Sequence, residues 1–127
     1  MPIRSAFAIL VALAASLQAE PVNPKIIERY KQMLDAKPEE GIAMDRLWKA
    51  ALESGGTDPM IAEYKARNTF AGRMVLGHLL RRAGREEEAA SAFRDAAKLD
   101  AQSALPSLAL AKLESGRGHP QQAAASL

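Results

Sequence analysis

Cysteine is absent from this sequence, which excludes disulfides, thiolate metal sites and a cysteine nucleophile. Histidine is almost as scarce. His78 and His119 stand 41 residues apart, and neither has a carboxylate three or four positions on in a metal-binding arrangement. There is no Gly-x-Gly-x-x-Gly run, phosphate loop or Gly-x-Ser-x-Gly elbow, and Gly116-Arg117-Gly118 is too short to cradle a phosphate. Aromatic residues make up only 5% of the chain, and the surplus is alanine, as in closely stacked helices. A large excess of one charge sign is missing too: the formal net charge is +2, so no general electrostatic drive toward nucleic acid is expected. The one dense carboxylate run, Glu86-Glu87-Glu88, opens a helical pattern, where acidic groups complement the helix dipole. These absences predict no metal, no cofactor and no catalytic constellation, hence a chain that is not an enzyme.

What is present begins with an apolar leader. Arg4 is the only charge in residues 1–19, Ser5 to Leu17 is rich in Ala and Leu, and Leu17-Gln18-Ala19 places a small residue before a cut. That is the layout of a secretory signal peptide, with an apolar run short of the ~20 residues that span a bilayer. Cleavage after Ala19 would start the mature chain at Glu20 and lower the formal charge to +1 through loss of Arg4. The expectation is export, to a periplasmic or extracellular location, with no stable membrane insertion after cleavage.

The remainder, from a chain 48% hydrophobic and 25% charged, suits one small globular or repeat domain and reads as all-α. Val75, Leu76, Leu79, Leu80 and Ala83 recur at steps of three and four, as do Ala89, Phe93, Ala96 and Ala97. Gly84 breaks the two patterns once. Neither helix could hide its stripe alone, so a turn this short predicts an antiparallel hairpin.

The spacing of that hairpin resembles the tetratricopeptide repeat (TPR): Leu76-Gly77, Leu80, Gly84, Ala89, Phe93 and Ala96 fall at the expected intervals. Leu80 stands where the pattern has Tyr, Arg73 where it has Trp, and Ala101 where it has a late Pro. Gly77 and Ala89 are small enough for two helix backbones to approach, and Phe93 is expected to fill the wider gap further along. The resemblance implies antiparallel helix pairs stacked as a short right-handed alpha-solenoid.

The other units follow from the same spacing. Residues 20–38 form an entry segment and a lone helix, with Ile26, Ile27, Tyr30, Met33 and Leu34 on one face and Pro38 as its stop. Residues 39–69 form a degenerate pair with its two helices set further apart. Its first helix carries Ile42, Met44, Leu47, Trp48, Ala51 and Leu52, and Gly55-Gly56 ends it. Thr57-Asp58-Pro59 reads as a capped start to its second helix, which carries Met60, Ile61 and Tyr64. Trp48 reads either as core filling or as a binding-site aromatic. Residues 70–103 hold the best-matching repeat. Residues 104–127 hold an incomplete one, in which Leu110-Ala111, Gly118, Ala123 and Leu127 each stand 34 residues after Leu76-Gly77, Gly84, Ala89 and Phe93. Such an end implies a longer product, or closure by a partner or a second copy.

In the repeat family the first helix of each pair lines a concave groove for partner peptides. The resemblance then implies a groove formed by Ala71, Met74, His78, Arg81 and Arg82 in the central unit and by Leu105, Leu108, Lys112 and Ser115 in the last. It would be apolar at one end and basic along one side, suited to a protein or peptide segment with some acidic residues. The competing reading makes Arg81, Arg82 and Arg85 a solvated helix end. The family's carboxylate clamp uses Asn where His78 and Lys112 stand, so capture of a free C-terminus is not expected. Three functions fit these readings: an exported interaction module, the helical N-terminal segment of a larger exported enzyme or receptor, and a self-assembly module joined through its C-terminal end.

Overall fold

The computed structural model describes residues 23–116, and helices are the only regular structure among them. They are α1 (Pro24–Ala36), α2 (Ile42–Glu53), α3 (Asp58–Lys65), α4 (Phe70–Arg82), α5 (Glu86–Leu99) and α6 (Leu105–Gly116). Their ends have local causes. Asn23 accepts a hydrogen bond from the Lys25 amide at 3.0 Å, with Pro24 in the first turn of α1. Lys37 is extended ahead of Pro38, which stops α1. Thr69 caps α4 by accepting from the Gly72 amide at 3.0 Å.

α4 is the hub of the molecule. It packs most extensively on α5, and also touches α3, α1 and α2, while α6 packs against α5. Two glycines make the α4–α5 pairing work. Gly84 has φ of +79°, and around it the Gly84 amide donates to the Arg81 carbonyl and the Arg85 amide to the Leu80 carbonyl. This is the left-handed helix stop that only glycine reaches without strain, and it turns the chain back on itself. Gly77 is the second. A Cβ built there would fall within 2.7 Å of ring atoms Cδ1, Cε1 and Cζ of Phe93, so the ring lies directly against the α4 backbone. The expectation that Phe93 fills a gap further along the hairpin is therefore corrected. The bare backbone of Gly77 is itself the seat of the ring.

The core built on this contact joins Val75, Leu76, Leu79 and Leu80 of α4 to Ala89, Phe93 and Ala96 of α5, with Leu34, Leu47, Ile61 and Tyr64 from the earlier helices. Trp48 packs partly buried against the same cluster, in the core-filling role.

Three local expectations are overturned. α1 does not bury Ile26 and Met33, which are 48% and 49% exposed. Its buried side runs one position further round, through Lys31 and Leu34, with Ile27 packed partly buried against the core. A lysine can sit there because its ammonium reaches Glu28 at 3.2 Å and Glu63 of α3 at 2.9 Å while its stem covers apolar surface. In α2, Met44, Leu47, Ala50 and Ala51 are buried, but Ile42 and Leu52 face outward. Thr57 precedes α3 in helical backbone geometry and makes no side-chain capping bond, so Asp58 and Pro59 open that helix without it. α2 and α3 hardly touch each other, and α3 packs mainly on α4. The leader at 1–19 and the incomplete unit's Gly118, His119, Ala123 and Leu127 lie outside the described residues.

Candidate functional site: a cleft between α4 and α6

Helical spacing puts Met74, His78 and Arg81 on one face of α4, at steps of four and three. The same rule groups Leu105, Leu108, Ala109 and Lys112 on α6. These two faces border a common cavity of about 360 Å3, of the size that accepts small ligands or side chains. Phe93 of α5 contributes to its wall, and the link between α1 and α2 adds Pro38, Glu39 and Glu40.

Of the nine residues that the sequence points to, six share this cavity: Met74, His78, Arg81, Leu105, Leu108 and Lys112. Ala71, Arg82 and Ser115 are not in its wall. Arg82 is drawn aside by carboxylates. Its guanidinium donates to Glu40 Oε2 at 2.5 Å and to Asp45 Oδ1 at 2.6 Å, which fastens α4 to the start of α2. Neither reading of the basic cluster covers this. Arg82 is a tie between elements, whereas Arg81 stays at the cavity. Sequence reasoning missed Pro38, Glu39, Glu40 and Ala109 and gave Phe93 a core role only. The adjacent acidic pair Glu39-Glu40 after the helix stop is the one signal that could have found a partner for the paired arginines.

Glu40 organises the charges at this end. Its Oε1 accepts from Arg81 at 3.1 Å and lies 3.2 Å from His78 Nδ1, a close contact off the line of an aligned N–H bond. Partial burial would raise its pKa, but the close approach of His78 Nδ1 and the hydrogen bonds and charge of Arg82 outweigh that effect. They hold the carboxyl well below the usual carboxylate range. A folded-state pKa below the unfolded one means stability that is present at neutral pH and lost as the solution is acidified through and below the ordinary glutamate range. Glu40→Gln should therefore lower stability at pH 7 by about 1 kcal/mol, the scale of a partly exposed ion pair. The same variant should flatten the acid limb of a stability-versus-pH curve. An acid limb identical to that of the parent would show that Glu40 carries no such linkage.

The two remaining cations bear on what the cleft can hold. Arg81 shares Glu40 with Arg82, and Lys112 is exposed and forms no ion pair among the described residues. Glu39 lies 3.8 Å from Lys37. The cavity thus has an apolar lining of Met74, Phe93, Leu105 and Leu108 with a cation on each flanking helix. No group of three or more His, Asp or Glu side chains suited to a metal ion occurs among the described residues. No helix among them is long and apolar enough to cross a membrane. No protein-family model matches the chain, and no curated protein matches its sequence.

Proposed function

We propose that this chain is an exported, non-catalytic docking module, a short solenoid of tetratricopeptide-like helix pairs that holds a segment of a partner protein between α4 and α6. One observation carries the reading. Two helices 34 residues apart in sequence register present matching stripes to a single open cavity, apolar within and flanked by Arg81 and Lys112. Consecutive packing of α4, α5 and α6 supports a repeating arrangement of helix pairs. The apolar leader supports export. Lys112, which forms no ion pair among the described residues, favours a segment that sets an acidic residue beside an apolar one.

Site-directed photocrosslinking in cells that make the protein tests this reading. A photoreactive residue at Lys112 should trap a discrete partner that can be identified by mass spectrometry. The same residue at Arg94, exposed on α5 and outside the cavity wall, should not. Equal trapping at both positions, or none at Lys112, would remove the cleft as the docking surface.

A further inference from the structure

α1 carries an apolar stripe that the described helices leave open. Ile26, Tyr30 and Met33 recur at steps of four and three, which sets them on one side of the helix. Ile26 and Met33 are exposed, Tyr30 is half-buried, and none of the three lines the cavity between α4 and α6. The border of the stripe away from Leu34 carries Lys25 and Arg29, each one position before a member of the stripe. Both are exposed, and neither forms an ion pair among the described residues. The carboxylates along this part of the chain are engaged: Glu28 lies 3.2 Å from Lys31, Asp35 3.7 Å from Arg67 and Glu39 3.8 Å from Lys37. On α2, which packs beside α1, Asp45 is held by Arg82, which leaves Glu53 against exposed Arg46 and Lys49. The balance of free charge beside the stripe is therefore cationic.

That charge decides what covers the stripe. A second copy paired antiparallel across a two-fold axis sets each cationic border against its own image, and like charges repel. The side of a helix is a ridge, so a protein partner must bring a groove shaped to it. A lipid surface needs no such groove, and an anionic one meets both halves of the pattern. The apolar side chains of an in-plane helix enter the boundary between headgroups and acyl chains, while Lys and Arg meet anionic headgroups. Tyrosine is favoured at that level, ring in and hydroxyl wet. We propose that α1 rests in the plane of an anionic lipid surface, with Ile26, Tyr30 and Met33 turned into it and Lys25 and Arg29 on the headgroups. This is adsorption, not insertion. None of these residues lines the cleft, so the proposal does not rest on the docking reading.

The test uses the full chain, whose lack of cysteine makes one introduced thiol a unique labelling site. Met33→Cys, and separately Arg94→Cys on α5, is labelled with nitrobenzoxadiazole and titrated with vesicles. One set is phosphatidylcholine, the other equal parts phosphatidylcholine and phosphatidylglycerol. The label at position 33 should shift to the blue on the mixed vesicles, and the label at 94 should not. Affinity for the mixed vesicles should exceed that for phosphatidylcholine at least about tenfold and fall as salt is added. Adding Lys25→Glu and Arg29→Glu should abolish the preference. These exchanges should not weaken the fold, since acidic residues early in a helix complement its dipole. All variants share the segment before α1, so differences among them report on α1 itself. Equal affinity for the two vesicles, equal shifts at both labels, or a preference that survives the double exchange would each overturn the proposal. So would a blue shift at position 33 that grows with protein concentration in the absence of vesicles, which would give the stripe to a second copy. Crosslinking at Lys112 reports on the cleft alone, so either reading can fail without the other.

Discussion

Replacing Phe93 with alanine should lower the unfolding free energy by about 3–5 kcal/mol, the range for emptying a fully buried aromatic site. Phe93 is 0% exposed, seats its ring on Gly77, meets His78 edge-on and borders the cleft. For a domain whose total stability is about 5–15 kcal/mol, the loss is a large share of the whole. In urea the midpoint should fall sharply at an unchanged slope, and the melting temperature should drop by more than about 15 °C. A variant that melts within a few degrees of the parent would place the α5 ring elsewhere and undo the α4–α5 register.

Gly77→Leu should be about as damaging, for the opposite reason. In an exposed helix, exchanging Gly for Ala gains about 1 kcal/mol, because glycine surrenders more backbone freedom on folding. At Gly77 even a lone Cβ falls within 2.7 Å of three Phe93 ring atoms, so the buried ring or the helix must shift to make room for it. Overpacking of this kind costs about 1–3 kcal/mol, so Gly77→Ala should be net destabilising despite its better helix propensity. A leucine adds a whole isobutyl group and should force the two helices apart. The contact can be isolated. In a Phe93→Ala background the ring is gone, and Gly77→Ala should change sign and stabilise by a few tenths to 1 kcal/mol. Additive effects in urea melts of the four proteins would mean that the two residues do not meet.

The hairpin that these substitutions probe was legible in the sequence, because period, turn glycine and small-residue positions all agreed on α4 and α5. α1 was less so. Its apolar letters point to Ile26 and Met33, but letters cannot tell that Glu28 one turn away and Glu63 across the interface make a buried Lys31 tolerable. The outward Ile42 and Leu52 of α2 escape for a related reason. α2 is held by few neighbours, so only part of its apolar surface finds cover. Within the cleft, the 34-residue register pointed to the α4 and α6 stripes, since residues on one helical face travel together. Glu40 could not be reached this way. It lies 41 residues before Arg81 on a short link, and no periodicity connects them. The same link accounts for Arg82, which turns to Glu40 and Asp45.

Docking of a partner between α4 and α6 can be measured directly. Leu108 is 46% exposed in the cleft, so Leu108→Glu should scarcely alter melting, as for most surface substitutions. The direct measurement is the affinity, by calorimetry, of the partner trapped at Lys112 for the parent, for Leu108→Glu and for Arg94→Glu. Docking in the cleft predicts at least a tenfold loss for Leu108→Glu, through a carboxylate placed on its apolar lining, and parent-like affinity for Arg94→Glu. Unchanged affinity for Leu108→Glu with a loss for Arg94→Glu would contradict it and move the partner to the α5 face.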